Sequence, residues 1–211
     1  ASDVYKRQGV AGHKYLVKDR GVPMEGYTST GMVFAAQEPY PPVQAERPNH
    51  RYAEAMLDNV GGSNSEMSAV GLYFYGHLAA LEVPEAAEIF HRISLVEMHH
   101  LEIFATLARQ MGEDPRLWGV QQGRKRWWTP GYLQYQRRLG PMIRIAVREE
   151  KASIRKYRAQ ARWIGDRNIV ENLRRIIQDE EQHLVVLGQL YETCVGTEEA
   201  AVRSGPRHGG T

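Results

Sequence analysis

Apolar residues recur in steps of four and three along four stretches of the chain, the spacing of helix faces buried against other helices. One stripe runs through Val70, Tyr73 and Ala80, and a second through Ala86, Phe90, Ile93, Phe104, Leu107 and Met111. A third takes Ile143, Val147, Ile154, Tyr157, Ala161 and Ile164, and a fourth Ile169, Leu173, Ile176, Leu187, Leu190 and Cys194. They predict helices over about 63–81, 84–111, 141–164 and 167–195, with a shorter leading piece over 51–60 ahead of Gly61 and Gly62. The punctuation agrees: Pro84 suits a first helical position, Gly112 and Gly196 suit stops, Pro141 follows Gly140 at a start, and Asp166 suits an N-cap. The first and last connections are short, so each flanking pair is expected to be an antiparallel hairpin. The middle connection, about 112–140, is a long crossover. The pattern is that of an all-α four-helix bundle built from two hairpins, a degenerate internal repeat.

Outside the bundle (51–195) the periodicity stops. Residues 9–50 are rich in Gly, Pro and Tyr and read as an extended N-terminal arm over 1–50, of a kind that often packs on a neighbouring subunit. Residues 1–8, with no initiating Met, are compatible with a non-native remnant and are left out of the fold reading. Residues 196–211 read as a flexible tail.

Six ionisable residues interrupt the stripes without leaving their phase: Glu66, Glu97, His100, Glu150, Glu180 and His183. They form one pattern twice, a lone Glu followed about thirty residues later by Glu-x-x-His. Glu66 and Glu97 are nearly equidistant from the first turn, and Glu150 and Glu180 from the last, so each hairpin presents its carboxylates at one height. The i, i+3 spacing puts Glu and His on one face. Burying a carboxylate costs several kcal/mol unless something compensates it, and two metal ions would compensate all six. An inward salt-bridge network without metal leaves four carboxylates against two imidazoles, an excess of buried negative charge.

The bare Glu-x-x-His motif is weak evidence, because this composition yields it about 0.7 times by chance. A third copy, Glu88 to His91, is half a turn out of phase and is expected to face solvent. Glu149 is the competitor of Glu150, and the stripe favours Glu150. His99 and Glu181 also fall off the stripes. His77 lies roughly 16 Å along the axis from Glu66 and reads as a core or subunit-contact histidine. Tyr73 lies two turns after Glu66, placed either to hydrogen-bond a ligand carboxylate or to pack as a core aromatic.

Composition narrows the function classes. Hydrophobic residues are 42% and charged residues 25% of the 211, ordinary for a globular protein. A net charge of +2 argues against a dedicated nucleic-acid binder. The basic run Arg124–Lys125–Arg126 beside Trp127 and Trp128 reads as a solvated loop, and the crossover tryptophans, with Trp118, as packing groups. With one cysteine, Cys194, the chain can form no internal disulfide and carries no Cys-x-x-Cys site, so a cytoplasmic location is the expectation. No run reaches membrane-spanning length and no signal-peptide pattern occurs.

The four helices and their spaced ligands resemble the ferritin-like dimetal carboxylate superfamily, over about residues 40–195. Gly61–Gly62 with Glu66–Met67–Ser68–Ala69, and Glu97 to His100 with Leu101–Glu102, resemble manganese catalases. Glu180–Glu181–Gln182–His183 resembles the second motif of manganese catalases and rubrerythrins alike. The resemblance implies two manganese or iron ions per chain, with Glu66 and Glu150 as terminal ligands, Glu97 as a bridge, and His100 and His183 as one imidazole per ion. Glu180 would be a second bridge by the rubrerythrin pattern, or a proton-handling group beside the ions by the catalase pattern. Tyr73 matches a tyrosine that supports the first ligand. The chain lacks the long C-terminal extension of typical manganese catalases and the cysteine-bound iron domain of full rubrerythrins. The implied activity is peroxide disproportionation, or peroxide reduction with an external electron donor, in a homo-oligomer. The alternatives are iron oxidation by O₂, as in iron-handling ferritin-like proteins, and a coat or assembly component whose metal site only stabilises the bundle.

Overall fold

The computed structural model describes residues 32–121 and 123–196. Residues 1–31 of the expected arm and 197–211 of the expected tail lie outside them.

Five α-helices carry the fold: α1 (His50–Gly61), α2 (Glu66–Ala79), α3 (Pro84–Gln110), α4 (Leu139–Trp163) and α5 (Arg167–Tyr191), with a last π-helical turn at Glu192–Gly196. The helical bundle expected from the stripes is present, with α2–α3 and α4–α5 as its two hairpins and the ferritin-like arrangement of helices. The local causes of the helix starts are visible. Ser65 caps α2 by accepting from the Ser68 amide at 3.3 Å, and Asp166 caps α5 by accepting from Ile169 at 3.1 Å. Pro84 opens α3, and Gly112, at φ +95°, follows its end.

Two apolar clusters fill the bundle, one towards each end. One gathers Met56, Leu57, Ile103, Phe104, Leu107, Tyr157, Ile169 and Leu173. The other gathers Tyr73, Ala86, Phe90, Ile93, Ile143, Val186 and Leu187. On α3, α4 and α5 the sequence passes from one cluster to the other through Glu97–His100, Glu150 and Glu180–His183. The six ionisable residues therefore form a polar belt between two dry regions. Helix α2 begins at Glu66, at the level of the belt, so it cannot reach the first cluster. Helix α1 fills that place with Ala53, Met56, Leu57 and Val60.

The crossover holds an element absent from the sequence reading. Strands β1 (Trp118–Gln121) and β2 (Arg124–Trp127) form an antiparallel hairpin with Trp118 opposite Trp127. Its β1 backbone lies directly on the Gly61–Gly62 corner: a Cβ on Gly61 would stand 2.4 Å from Trp118 N. The basic run is exposed, as expected, but as a strand rather than a loop, and Lys125 pairs with Glu113 at 2.7 Å. Trp128 donates from Nε1 to Ser68 Oγ at 3.0 Å, tying the crossover to the start of α2.

The described part of the arm packs on its own chain. It runs antiparallel to α5, with Gln182 donating to Val33 O at 2.8 Å, Asn172 to Pro42 O at 3.1 Å, and Glu46 N donating to Asp166 at 2.7 Å.

Candidate metal centre

All six stripe residues are buried, none more than 3% exposed. The structure brings them together in two overlapping groups, Glu66–Glu97–His100–Glu180 and Glu97–Glu150–Glu180–His183. Within each group, one potential ligand atom per residue lies within 4.8 Å of the others. Glu97 and Glu180 belong to both groups and lie between the two imidazoles, whose ring centroids are 6.3 Å apart. Both histidines turn Nδ1 inward. His100 Nδ1 stands 3.3 Å from Glu97 and 3.5 Å from Glu180. His183 Nδ1 stands 3.0 Å from Glu180, 3.1 Å from Glu97 and 3.5 Å from Glu150.

Electrostatics without an ion are those of crowded like charges. Burial, reinforced by the charges of Glu97 and Glu180, pushes Glu66 well above the usual carboxyl range, and burial with Glu180 and Glu97 does the same to Glu150. Burial also works against an ionised Glu97, but the two imidazoles beside it outweigh that and hold the carboxyl low. His100 and His183 are pushed up: burial disfavours their charged forms, and the surrounding carboxylates more than reverse it. The metal-free protein thus holds protons where cations would otherwise balance the carboxylates. Among the described residues Glu97 Oε1 is buried with no aligned hydrogen-bond donor, although His183 Nδ1 stands 3.1 Å away. Hard carboxylate oxygens and imidazole nitrogens, six donors around two adjacent positions, fit a pair of divalent ions such as manganese or iron.

The outer residues separate cleanly. Glu149 is half-buried, engaged by Arg148 at 2.7 Å, and belongs to neither ligand group. Glu88 pairs with Arg92 at 2.6 Å at the surface, and His91 is exposed. His77 is half-buried against Ala87 O at 2.9 Å. His99 is exposed and meets the edge of Tyr40.

Tyr73 departs from the role that resemblance implies. Its hydroxyl donates to Glu150, on the other hairpin, rather than to Glu66. Glu66 instead receives the hydroxyl of Tyr157 from α4. Each tyrosine follows the lone Glu of its own hairpin by seven residues, so the internal repeat includes them, and each reaches across to the opposite Glu. That Glu-x₆-Tyr spacing was readable in the sequence, where Tyr157 counted only as core. Asp179 was missed altogether. It is fully buried, and its Oδ2 stands 3.0 Å from His100 Nε2. Its only sequence signal is Arg175 one turn earlier.

Beside Tyr73 and Glu150 lies a small cavity, about 30 Å³ for water-sized molecules, bounded also by Ser68, Leu72, Leu133 and Ser153.

Comparison with known proteins agrees with this architecture. Two crystal structures of KatB, a manganese catalase from Anabaena (strain PCC7120 in one), superpose with a TM-score of 0.67 each. Each match covers 85% of this chain and 86% of the other at 20% identity, a likeness of fold. No curated protein matches the sequence significantly. The family model described as Rubrerythrin matches residues 63–191, from just before Glu66 to the end of α5. The chain belongs to the rubrerythrin family of ferritin-like proteins.

Proposed function

We propose that this protein is a dinuclear-metal oxidoreductase acting on hydrogen peroxide, by disproportionation or by reduction with an external electron donor. The observation that carries the reading is the pair of overlapping Glu/His groups sharing Glu97 and Glu180, sealed between two apolar clusters. The fold likeness to a manganese catalase supports a peroxide substrate.

In this reading Glu66 and His100 would hold one manganese or iron ion and Glu150 and His183 the other, with Glu97 common to both groups, and such a pair would supply the two-electron redox capacity that cleavage of an O–O bond requires. The chain's own groups do the rest. Glu180 faces both imidazoles and is within reach to accept or return a proton. Tyr73 and Tyr157 orient Glu150 and Glu66 through their hydroxyls. The apolar clusters exclude bulk water. The cavity beside Tyr73 and Glu150 gives a small molecule such as a peroxide a place next to the belt. No helix among the described residues is long and apolar enough to cross a membrane. Self-association is part of the proposal, supported by the exposed apolar row Phe74, Leu78 and Leu81.

The test is metal content of protein purified without added metal, together with oxygen evolution from hydrogen peroxide. Two manganese per chain with oxygen release establishes a catalase. Two iron without oxygen release points to a donor-dependent peroxidase, or, if ferric mineral accumulates under O₂, to iron oxidation. Less than one ion per chain after reconstitution refutes the dinuclear reading and leaves an assembly protein.

A further inference from the structure

Around one of the two imidazoles, and not the other, the protein builds a second layer. Asp179 Oδ2 lies 3.0 Å from His100 Nε2 and accepts from Tyr40 Oη at 2.5 Å. Its Oδ1 accepts from Arg175 Nη1 at 2.5 Å and from Ala36 N at 2.7 Å. With a guanidinium, a backbone amide and a phenol hydroxyl all donating to it, the Asp179 carboxylate is the acceptor towards His100, so Nε2 donates to it and Nδ1, which faces Glu97 and Glu180, is the nitrogen directed at an ion.

The arm holds this carboxylate in place. Arg175 donates from Nε to Glu38 O at 2.6 Å and from Nη2 to Ala36 O at 2.7 Å. Its guanidinium lies 4.1 Å over the ring of Tyr40. Residues 36–40 thus contribute a hydroxyl, an amide and two carbonyls to the fixing of Asp179 and Arg175.

Among the described residues His183 has no such layer: its Nε2 is buried and meets no hydrogen-bond partner. The internal repeat explains why. Asp179 immediately precedes Glu180, and the equivalent residue before Glu97 is Val96, which offers no acceptor. Arg175 likewise corresponds to Arg92, which turns outward to Glu88.

We infer that the N-terminal arm is a working part of the metal centre: Tyr40 and Arg175 fix Asp179 as a positioning residue for His100, so that the two ion positions are unequal and the His100 position binds its ion more tightly. The inference rests on the dinuclear reading above. A carboxylate on the outer nitrogen of a ligating imidazole fixes the ring and raises its basicity, and losing such a partner typically costs 10–100-fold in metal affinity.

The experiment is calorimetric titration of the metal-free full chain with Mn²⁺, resolving two binding constants. Glu150→Ala should leave the tighter constant and Glu66→Ala the weaker, which assigns them. Asp179→Asn should then weaken the tighter constant by about 10–100-fold and leave the weaker one within about twofold. Tyr40→Phe, which removes one hydroxyl, should lower the same constant by a smaller factor. Gln110→Ala loosens the arm at Val43 and Ala45 without touching Asp179, and should change neither. Thermal unfolding of each metal-free variant verifies the fold, and Tyr40→Phe carries the test if Asp179→Asn does not fold. A ratio of constants unchanged in Tyr40→Phe and Asp179→Asn, or both constants falling equally, overturns the inference and leaves the dinuclear reading intact. A wild-type chain that binds fewer than two Mn²⁺ overturns the dinuclear reading itself.

Discussion

Removing the metal should destabilise the protein by an amount the site's geometry sets. Ions that bind the folded chain and not the unfolded one stabilise it by about 2.7 kcal/mol per position at a free concentration one hundred times the dissociation constant. Two groups of ligands make two positions, hence about 5.4 kcal/mol. In a domain of this size each kcal/mol moves the midpoint of thermal unfolding by roughly 2–4 °C, so loading should raise it by about 11–22 °C over the chelated protein. The overlap of the groups makes the prediction sharper. Glu66 belongs to one group and Glu97 to both. Glu66→Ala, which removes the tighter position, should therefore retain less than half of the metal-induced shift, and Glu97→Ala almost none.

The assay is scanning calorimetry of each variant with excess chelator and with saturating Mn²⁺ or Fe²⁺ under anaerobic conditions. The quantity compared is the shift within one variant, because deleting a buried carboxylate also changes the metal-free protein. A wild-type shift below about 3 °C with both metals would refute the reasoning, since it corresponds to no more than about 1.5 kcal/mol. So would a Glu97→Ala shift equal to wild type, which would put the bound ions elsewhere.

Three further outcomes follow from the same geometry. In the metal-free protein Glu66, Glu150, His100 and His183 all have raised folded-state values, so at neutral pH the folded state holds more protons than the unfolded one. The histidine contribution is complete below about pH 6.5 and is lost as pH rises through the folded-state values. The unfolding free energy of the chelated protein, read by urea titration, should therefore fall as pH rises above about 6.5, by about 1.4 kcal/mol per pH unit for each proton involved, and a flat or rising free energy contradicts this. Gly61→Ala puts a methyl group against the backbone of Leu117 and Trp118 at 2.4–2.8 Å, where nothing flexible can yield, and should cost about 1–3 kcal/mol in chemical denaturation. Tyr73→Phe and Tyr157→Phe each leave a buried carboxyl oxygen without its donor and should each cost about 1–3 kcal/mol, also read by denaturation. Unchanged stability in both would mean the hydroxyls do not hold the carboxyls.

The bundle and its belt were legible for one reason. A charged residue in phase with a hydrophobic stripe must point where the stripe points, so Glu97, Glu150, Glu180 and their histidines declared their inward direction before any fold was known. The choice of Glu150 over Glu149 rested on phase alone, and the structure buries Glu150 and leaves Glu149 at the rim. Helix α1 was harder to read because its role depends on a length: α2 starts at Glu66, and only the resulting gap makes Met56 and Leu57 core residues. The crossover hairpin left the faintest signal, four-residue strands with a fully exposed second strand and therefore no alternation of apolar and polar positions.

The arm escaped for a deeper physical reason. Side-chain patterns reveal what a segment buries, but this segment works partly through its backbone, as the carbonyls of Ala36 and Glu38 hold Arg175 and the amide of Ala36 donates to Asp179. Backbone groups are the same at every position, so no residue type announces them. Asp179 is hidden differently: one residue from Glu180 on a helix, it points about 100° away from the stripe and so reads as surface. It is buried because the arm lies over it. The repeat alone describes a two-fold symmetric site with Glu66, Tyr73, Glu97 and His100 matched by Glu150, Tyr157, Glu180 and His183. The symmetry breaks at the single exchange of Asp179 for Val96, and the arm is what gives that exchange a consequence.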